Sequence, residues 1–287
     1  MTKIRSVDRP DADTVADVLA LATAAEQADG VYPLSEDVVL RVRNGGGTHL
    51  LAYADDGALA GYAFVDSGSG ELVVHPSRRR HGYGSALLAA AGDGPLAFWA
   101  HGDNAASFAE KSGFIRARVL WQMRRSLADF SEVSVMPDGV TLRHFRPGYD
   151  EAAWLAVNAR AFAHHPEQGR WTIDDLRLRE AEPWFDPAGF LLAVDLEDTL
   201  LGFHWTKVHP PAGDAPAIGE IYVLGVDPGG HRRGLGAALS VAGLQHLAET
   251  GLTQAMLYVD ESNEAAVALY RKLGFEIYKT DVMYERS

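Results

Sequence analysis

Gly219-Glu-Ile-Tyr-Val-Leu-Gly-Val-Asp-Pro-Gly-Gly-His-Arg-Arg-Gly-Leu-Gly236 reads as a strand, a Gly- and Arg-rich turn and the opening of a helix. β-Branched and aromatic residues dominate its first half. Strict alternation there points Ile221, Val223 and Gly225 one way and Glu220, Tyr222, Leu224 and Val226 the other. Asp227-Pro228 ends the strand and Gly229-Gly230 loosens the turn. From Gly234 onward Leu235, Leu239, Val241 and Leu244 fall near helical spacing. The first N–H groups of such a helix have no internal partners and carry the positive end of its dipole. Gly234 and Gly236 allow close backbone approach, so the turn can cradle a pyrophosphate, with Arg232 and Arg233 adding charge nearby. A dinucleotide fingerprint would need a third Gly where Leu239 stands, and a P-loop needs Gly-Lys before Ser or Thr; neither is present.

The turn occurs twice. Leu72-Val-Val-His-Pro-Ser-Arg-Arg-Arg-His-Gly-Tyr-Gly84 matches Leu224 to Gly236 at a constant offset of 152 residues. Ahead of the first copy the pattern predicts a strand over Ile4–Val7 and a helix over Ala12–Ala28, capped by Asp11 and stopped at Gly30. A short helix after Ser35 follows, then strands over Thr48–Ala54 and Ala58–Val65. After it come a helix over Gly84–Ala91, a strand over Leu96–Ala100, a helix over Asn104–Lys111 and a strand from Phe114. The second half repeats this order, from a strand over Thr141–Phe145 to a helix over Asn263–Leu273 and a strand over Phe275–Tyr284. Gly113-Phe114 corresponds to Gly274-Phe275. A period of this length is a duplicated domain rather than a solenoid. The expected division is 1–124, a join at 125–139 punctuated by Pro137-Asp138-Gly139, and 140–287.

Composition narrows the function classes. With 287 residues, 47% apolar and 23% charged, the chain has the make-up of a globular protein able to bury a real core. No apolar run approaches the ~18 residues of a membrane span, and the first residues carry no secretory apolar stretch, so a cytoplasmic protein is expected. The absence of cysteine excludes disulfides, a thiolate nucleophile and Cys-ligated metal. A net charge of −13 argues against nucleic acid or anionic membranes as partners and suits a cationic small molecule such as an amine. His164-His165 lacks the spacing of a metal pair, so no metal is expected.

The glycine turn resembles the acyl-CoA turn, Arg/Gln-x-x-Gly-x-Gly/Ala, of the GNAT superfamily of N-acetyltransferases; in the second copy His231 stands where that motif begins. The resemblance covers nearly the whole chain and implies an α+β fold of two tandem GNAT domains, each a mixed, mostly antiparallel sheet flanked by helices. Ala161-Phe-Ala-His-His-Pro-Glu-Gln-Gly169, Trp184-Phe-Asp-Pro187, Gly202-Phe-His-Trp-Thr-Lys-Val-His-Pro210 and Phe98-Trp-Ala-His-Gly102 look more narrowly like the mycothiol synthase family of tandem GNAT enzymes. That implies a monomer that moves acetyl from acetyl-CoA to a cysteinyl-glucosaminyl-inositol amine. The alternatives are a GNAT enzyme for another small amine or a protein N-terminus, and an acyl-CoA-binding module without turnover.

Acetyl transfer from a thioester needs a deprotonated amine, a polarised carbonyl, a protonated leaving thiolate and two aligned substrates. Glu220, at the opening of the key strand, is the candidate base, or else a solvated strand-end carboxylate. Tyr270, four residues before Gly274, is the candidate acid, or else a core ring beside Leu269 and Leu273; its position matches the Tyr that many GNAT enzymes use. A backbone N–H of Leu224, Gly225 or Val226 would polarise the carbonyl, with Gly225 the expected place for a bulge. Asn263 would bond the pantetheine arm or cap its helix.

The resemblance implies further acetyl-CoA contacts in the second copy at His231, Arg232, Arg233, Gly234, Leu235, Gly236 and Ala237, and along Glu264, Ala265, Ala266, Val267 and Ala268. In the first copy it implies them at Leu72, Val73 and Val74 and at Arg79, Arg80, His81, Gly82, Tyr83, Gly84 and Ser85. It also places Glu36, Glu167, Lys207, Glu220 and Tyr258 against the acceptor. Counting back 152 from Glu220 gives Gly68, and counting back 161 from Tyr270 gives Ala109. The first copy is therefore expected to bind acetyl-CoA without catalysis, or to be structural; Glu71 is near but in another register.

Overall fold

The computed structural model describes residues 3–100, 103–165, 168–211, 213, 215–230 and 234–287. They form two compact units, Met1–Leu120 with Thr280–Ser287, and Trp121–Lys279.

The first unit opens with β1 (Lys3–Val7), α1 (Ala12–Asp29) and α2 (Glu36–Asn44). Asp11 caps α1 by accepting from the Thr14 N–H at 2.9 Å, and Gly30 ends it in the left-handed region at φ +71°. Ser35 caps α2. Then follow β2 (Thr48–Tyr53), β3 (Leu59–Asp66), β4 (Ser69–Val74), α3 (Tyr83–Ala90), β5 (Leu96–Ala100) and α4 (Asp103–Lys111). β1 to β4 pair antiparallel in chain order, and β4 pairs parallel with β5. The alternation of the strands sorts their side chains. Leu51, Tyr62, Phe64 and Val73 pack under α1 and α2, while Leu50, Ala52 and Ala63 pack with Leu87 of α3.

The second unit repeats the plan. β6 (Ile115–Ser126) leads into it, followed by β7 (Thr141–His144), α5 (Glu151–Ala161), α6 (Ile173–Glu180), β8 (Phe190–Val194), β9 (Leu200–His209) and β10 (Ile218–Val226). α7 (Leu235–Glu249), β11 (Gln254–Asp260) and α8 (Glu264–Lys272) complete it, and β12 (Glu276–Arg286) ends the repeat, its residues from Thr280 onward belonging to the first unit. β7 to β10 pair antiparallel in order, and β10 pairs parallel with β11. One face of this sheet packs an aromatic core under α5 and α6. Trp205 stacks on Phe190 at 4.4 Å between ring centres, and Trp154 meets Trp205 edge-on at 5.8 Å. The other face packs Leu235, Leu239, Leu244 and Leu247 of α7 against the strands.

The compact units and the copies of the repeat divide the chain at different places. The last residues, Val282–Arg286, pair antiparallel with β5 in the first unit, where Tyr284 is buried among Leu88, Ala100 and Phe114. The segment expected as a join is packed on the second unit. Leu127 lies in the α7 core, Met136 and Val140 pack with Leu235 and Leu239, and the Ser134 hydroxyl donates to the Ala238 carbonyl at 2.7 Å. Its apolar residues gain more from that surface than from solvent. Among the described residues, no helix is long and apolar enough to cross a membrane.

His204 lies fully buried between β9 and α7, its Nδ1–H donating to the Leu239 carbonyl at 2.7 Å. Gly243 makes the space, since a Cβ there would stand 2.0 Å from the ring. Burial pushes the imidazole down from the ordinary 6.5 to about 4. Between those values the unfolded chain takes a proton that the folded chain refuses. Stability is thus full above pH 6.5 and falls as pH drops toward 4, a gap of about 3 kcal/mol. Denaturant unfolding at pH 7 and pH 4.5 should show this loss in the native chain and a smaller one in His204→Gln.

Candidate active site

The polar centre of the second unit is built on β9 and β10. Glu220 lies directly opposite Lys207, and residues directly opposite share a sheet face. His209, two residues further along β9, is on that face too, and its Nε2 stands 2.6 Å from Glu220 Oε2. The Glu220 side chain is 9% exposed and that of His209 33%, so the pair runs from nearly buried to open. The Lys207 ammonium lies 4.4 Å from the Trp184 ring centre and 5.2 Å from that of Tyr222, where the π faces replace part of its lost hydration. The Tyr222 hydroxyl accepts from Arg179 Nε at 2.9 Å, and the buried Arg179 guanidinium lies over Trp171 at 3.9 Å.

A register shift between Ile221 and Val223 makes Tyr222 a bulge residue, which corrects two expectations. The bulge is at Tyr222 and not at Gly225, which pairs regularly with Phe203. Gly225 is glycine for space, as a Cβ would stand 2.8 Å from the Phe203 ring. The shift also breaks the alternation. Tyr222 and Val223 both join the aromatic core, on the side of Glu220, while Ile221 and Leu224 both pack toward α7. Leu224 therefore does not share a face with Glu220.

The parallel ladder between β10 and β11 covers Gly219–Ile221 and leaves the edge of β10 from Tyr222 to Val226 beyond it. Glu220 sits at the mouth of this opening. Met256 of β11 is in register with it, and Tyr258, two residues on, is on the same face, 45% exposed, with its hydroxyl 2.7 Å from Gln122 Nε2. Tyr270 lies on the other side of the sheet, among Ile221, Leu257 and Val259, with its ring edge-on to Phe275. Burial pushes its phenol up to about 12, so it stays protonated at neutral pH. The two candidate groups thus approach the opening from opposite faces and do not touch.

The glycine turns differ from most other helix starts, although α5 too opens, on Asp150, without a side-chain cap bond. α1, α2, α6 and α8 open on the side-chain caps Asp11, Ser35, Thr172 and Asn263. α3 and α7 open on Gly82 and Gly234, at φ +87° and +88°, with no side-chain cap. Their first N–H groups are left to face a ligand, and the helix dipole favours an anion there. Asn263 Oδ1 accepts from the Ala266 N–H at 3.2 Å, so the capping role is the one the structure displays. His231, Arg232, Arg233 and Glu167 lie outside the described residues.

An ion pair ties the helix preceding each sheet to the turn that follows the key strand, with the charges exchanged. In the first unit Arg79 of the turn grips both oxygens of Asp29 at 2.7 and 2.6 Å. In the second, Arg160 of α5 bonds Asp227, the residue after β10. Next to Arg79, Arg80 holds a left-handed backbone at φ +67°.

The first unit carries no counterpart of Glu220. β4 has no register shift, so its positions run one residue out of step with β10. Val74 faces Gly61 of β3 as Val226 faces Gly202 of β9, and five residues further along the partner strands Ser69 faces Asp66 as Glu220 faces Lys207, which makes Ser69, and not Gly68, the equivalent residue. Glu71 is buried on β4, but its Oε2 accepts from the Ser35 N–H at 2.7 Å, holding the start of α2. Glu36, half-buried, occupies the first turn of that helix. Ala109, the counterpart of Tyr270, is a buried residue of α4 itself. Among the described residues no group of three His, Asp or Glu side chains converges as metal ligands would.

Comparison with known proteins fits this plan. Residues 154–275 match the acetyltransferase (GNAT) family and residues 45–116 an acetyltransferase (GNAT) domain. The chain is 56% identical to the mycothiol acetyltransferase of Salinispora arenicola, over 99% of this chain and 97% of the relative. It is also 56% identical to that of Geodermatophilus obscurus, over 99% of this chain and 98% of the relative. The chain belongs to the mycothiol acetyltransferase family. A solved tandem GNAT protein from the clavulanic acid biosynthesis pathway, 21% identical, superimposes with a TM-score of 0.71 over 100% of this chain and 98% of that one, and so shares the fold.

In this mycothiol acetyltransferase family member the structure brings Glu220, Lys207 and Tyr258, which the resemblance had named, to one face, and adds His209, Trp184, Arg179 and Gln122, to which the sequence reading gave no role. Only His209 left a signal: it follows Lys207 by two residues in an extended run. Arg179 and Gln122 reach the site from α6 and β6. Tyr222→Phe keeps the ring and removes the acceptor for buried Arg179. It should cost about 1.5–3 kcal/mol, as for a hydrogen bond to a charged group, measured by denaturant unfolding.

Proposed function

We propose that the protein transfers the acetyl group of acetyl-CoA to the cysteinyl amine of 1-O-(2-(L-cysteinyl)amido-2-deoxy-glucopyranosyl)-myo-inositol, the last step of mycothiol biosynthesis. The observation that carries the reading is the nearly buried Glu220 carboxylate at the mouth of the β10–β11 opening. The near-full-length relatives named mycothiol acetyltransferase support the choice of acceptor.

In this reading Glu220 takes a proton from the acceptor ammonium, directly or through a water, and frees the nitrogen lone pair. The amine attacks the thioester carbonyl, whose oxygen gains charge and is met by an N–H on the β10 edge among Leu224, Gly225 and Val226. The nitrogen, cationic after the attack, loses its second proton to solvent, the carbon–sulfur bond breaks, and Tyr270 gives its phenol proton to the departing thiolate and is reprotonated from solvent. The acyl donor lies with its pyrophosphate on the uncapped start of α7, from Gly234 to Ala237, and its arm along α8 from Asn263 to Ala268. Lys207 and Tyr258, on the face of Glu220, contact the acceptor, and Glu167 adds a carboxylate toward its hydroxyls and amine. The uncapped start of α3, from Gly82 to Ser85, supports a second acetyl-CoA site. Without a counterpart of Glu220 or Tyr270, that site has no chemistry of its own. The protein acts as a cytoplasmic monomer without metal.

Comparing kcat/KM for the glycoside with that for free cysteine and for peptide N-termini tests the acceptor. The glycoside should be strongly preferred, because analogues lacking its hydroxyls leave buried polar groups unpaired. Equal values, or a preference for peptides, would leave a GNAT enzyme of other specificity. Glu220→Gln should lower kcat/KM by about 10²–10⁴-fold near neutral pH, with a smaller loss as pH rises and the amine deprotonates itself. Tyr270→Phe should slow turnover with acetyl-CoA affinity nearly unchanged.

Calorimetry should find two unequal acetyl-CoA sites. Val at Gly82 and Gly84 should remove one and spare much of the activity, whereas Val at Gly234 and Gly236 should abolish activity. A single site lost only with the second pair would refute the first.

A further inference from the structure

His209 is the one charged or titratable side chain that touches Glu220 and has no part in the reading above. Its Nε2 is 2.6 Å from Glu220 Oε2, and it ends β9 one third exposed, just before Pro210. An ionised carboxylate only accepts hydrogen bonds, so the shared proton belongs to Nε2. That bond occupies Oε2, fixes the carboxylate rotamer and leaves Oε1 for the acceptor. We propose that His209 is a positioning residue for the base, holding Glu220 through Nε2–H. The inference rests on the acetyl-transfer reading but not on the identity of the acceptor.

The other polar and charged groups on this face are Lys207, directly opposite Glu220, and the phenols of Tyr222 and Tyr258, with Arg179 behind Tyr222. Lys207 is turned to the rings of Trp184 and Tyr222, and His209 is the side chain that contacts the carboxylate.

The test uses the full chain and the amine that it acetylates best. His209→Ala should lower kcat by up to about 10²-fold, the scale of a misplaced catalytic group, with KM for acetyl-CoA within about twofold. His209→Gln places an amide N–H near the position of Nε2–H and should recover kcat to within about threefold of the native enzyme. A resting-state measurement separates this from the assignment of function. The NMR resonance of His209 Nε2–H, held downfield by a carboxylate acceptor, should move upfield in Glu220→Gln, where the acceptor is uncharged. Native kcat in His209→Ala, equal losses in the Ala and Gln variants, or an unmoved resonance would each overturn the proposal. Failure to acetylate any amine would overturn the functional reading and leave the resonance to decide the pair.

Discussion

The active site depends on the one-residue bulge at Tyr222. Up to Ile221, β10 is an ordinary strand paired on both edges, with Glu220 and Ile221 on opposite faces. The extra residue then puts Tyr222 and Val223 on one side and advances everything after them. A bulge bends and twists its strand, and here the ladder to β11 ends where the bulge begins. The unpaired edge, the burial of Glu220 and the Tyr222 contact with Arg179 all follow from that single insertion.

The first copy measures what the bulge contributes. β4 runs without a shift against β3, and the buried carboxylate it carries, Glu71, is spent on the start of α2. The uncapped glycine helix start survives in both copies because it depends on local backbone conformation alone. The junction between leading helix and turn also survives, but with its acid and base exchanged, Asp29 with Arg79 and Arg160 with Asp227. Such partly exposed pairs contribute about 0.2–1 kcal/mol, and either polarity supplies it. Duplication kept the interaction and left free which side bears which charge.

This division explains what the sequence made legible. Strand, turn and helix of the key stretch were readable because Pro228, Gly234 and the spacing of Leu235 and Leu239 act within a few residues. So were the caps at Asp11 and Ser35 and the stop at Gly30. The duplication was visible as a constant offset. The bulge was not, since period two gives no warning of an inserted residue, and counting by offset therefore pointed to Gly68 in place of Ser69. Contacts assembled from separate elements, such as Trp184 with Lys207 or Gln122 with Tyr258, have no signature in local spacing. The terminal residues read correctly as a strand, but nothing in Glu276–Arg286 says which neighbour it will choose.

That choice sets the order in which the chain can be made and folded. Ala100 of β5 waits for Val282, so the edge of β5 that will receive β12 stays open until the whole second copy has been made. Chains usually fold domain by domain as they emerge from the ribosome, N-terminal part first. Here the N-terminal unit is the one that must wait, with an unpaired strand edge exposed throughout translation of the second copy. Completion of its sheet is thereby a check that β12 has been added: a nascent chain that stops before Val282 leaves its first unit, not its second, as the visible defect.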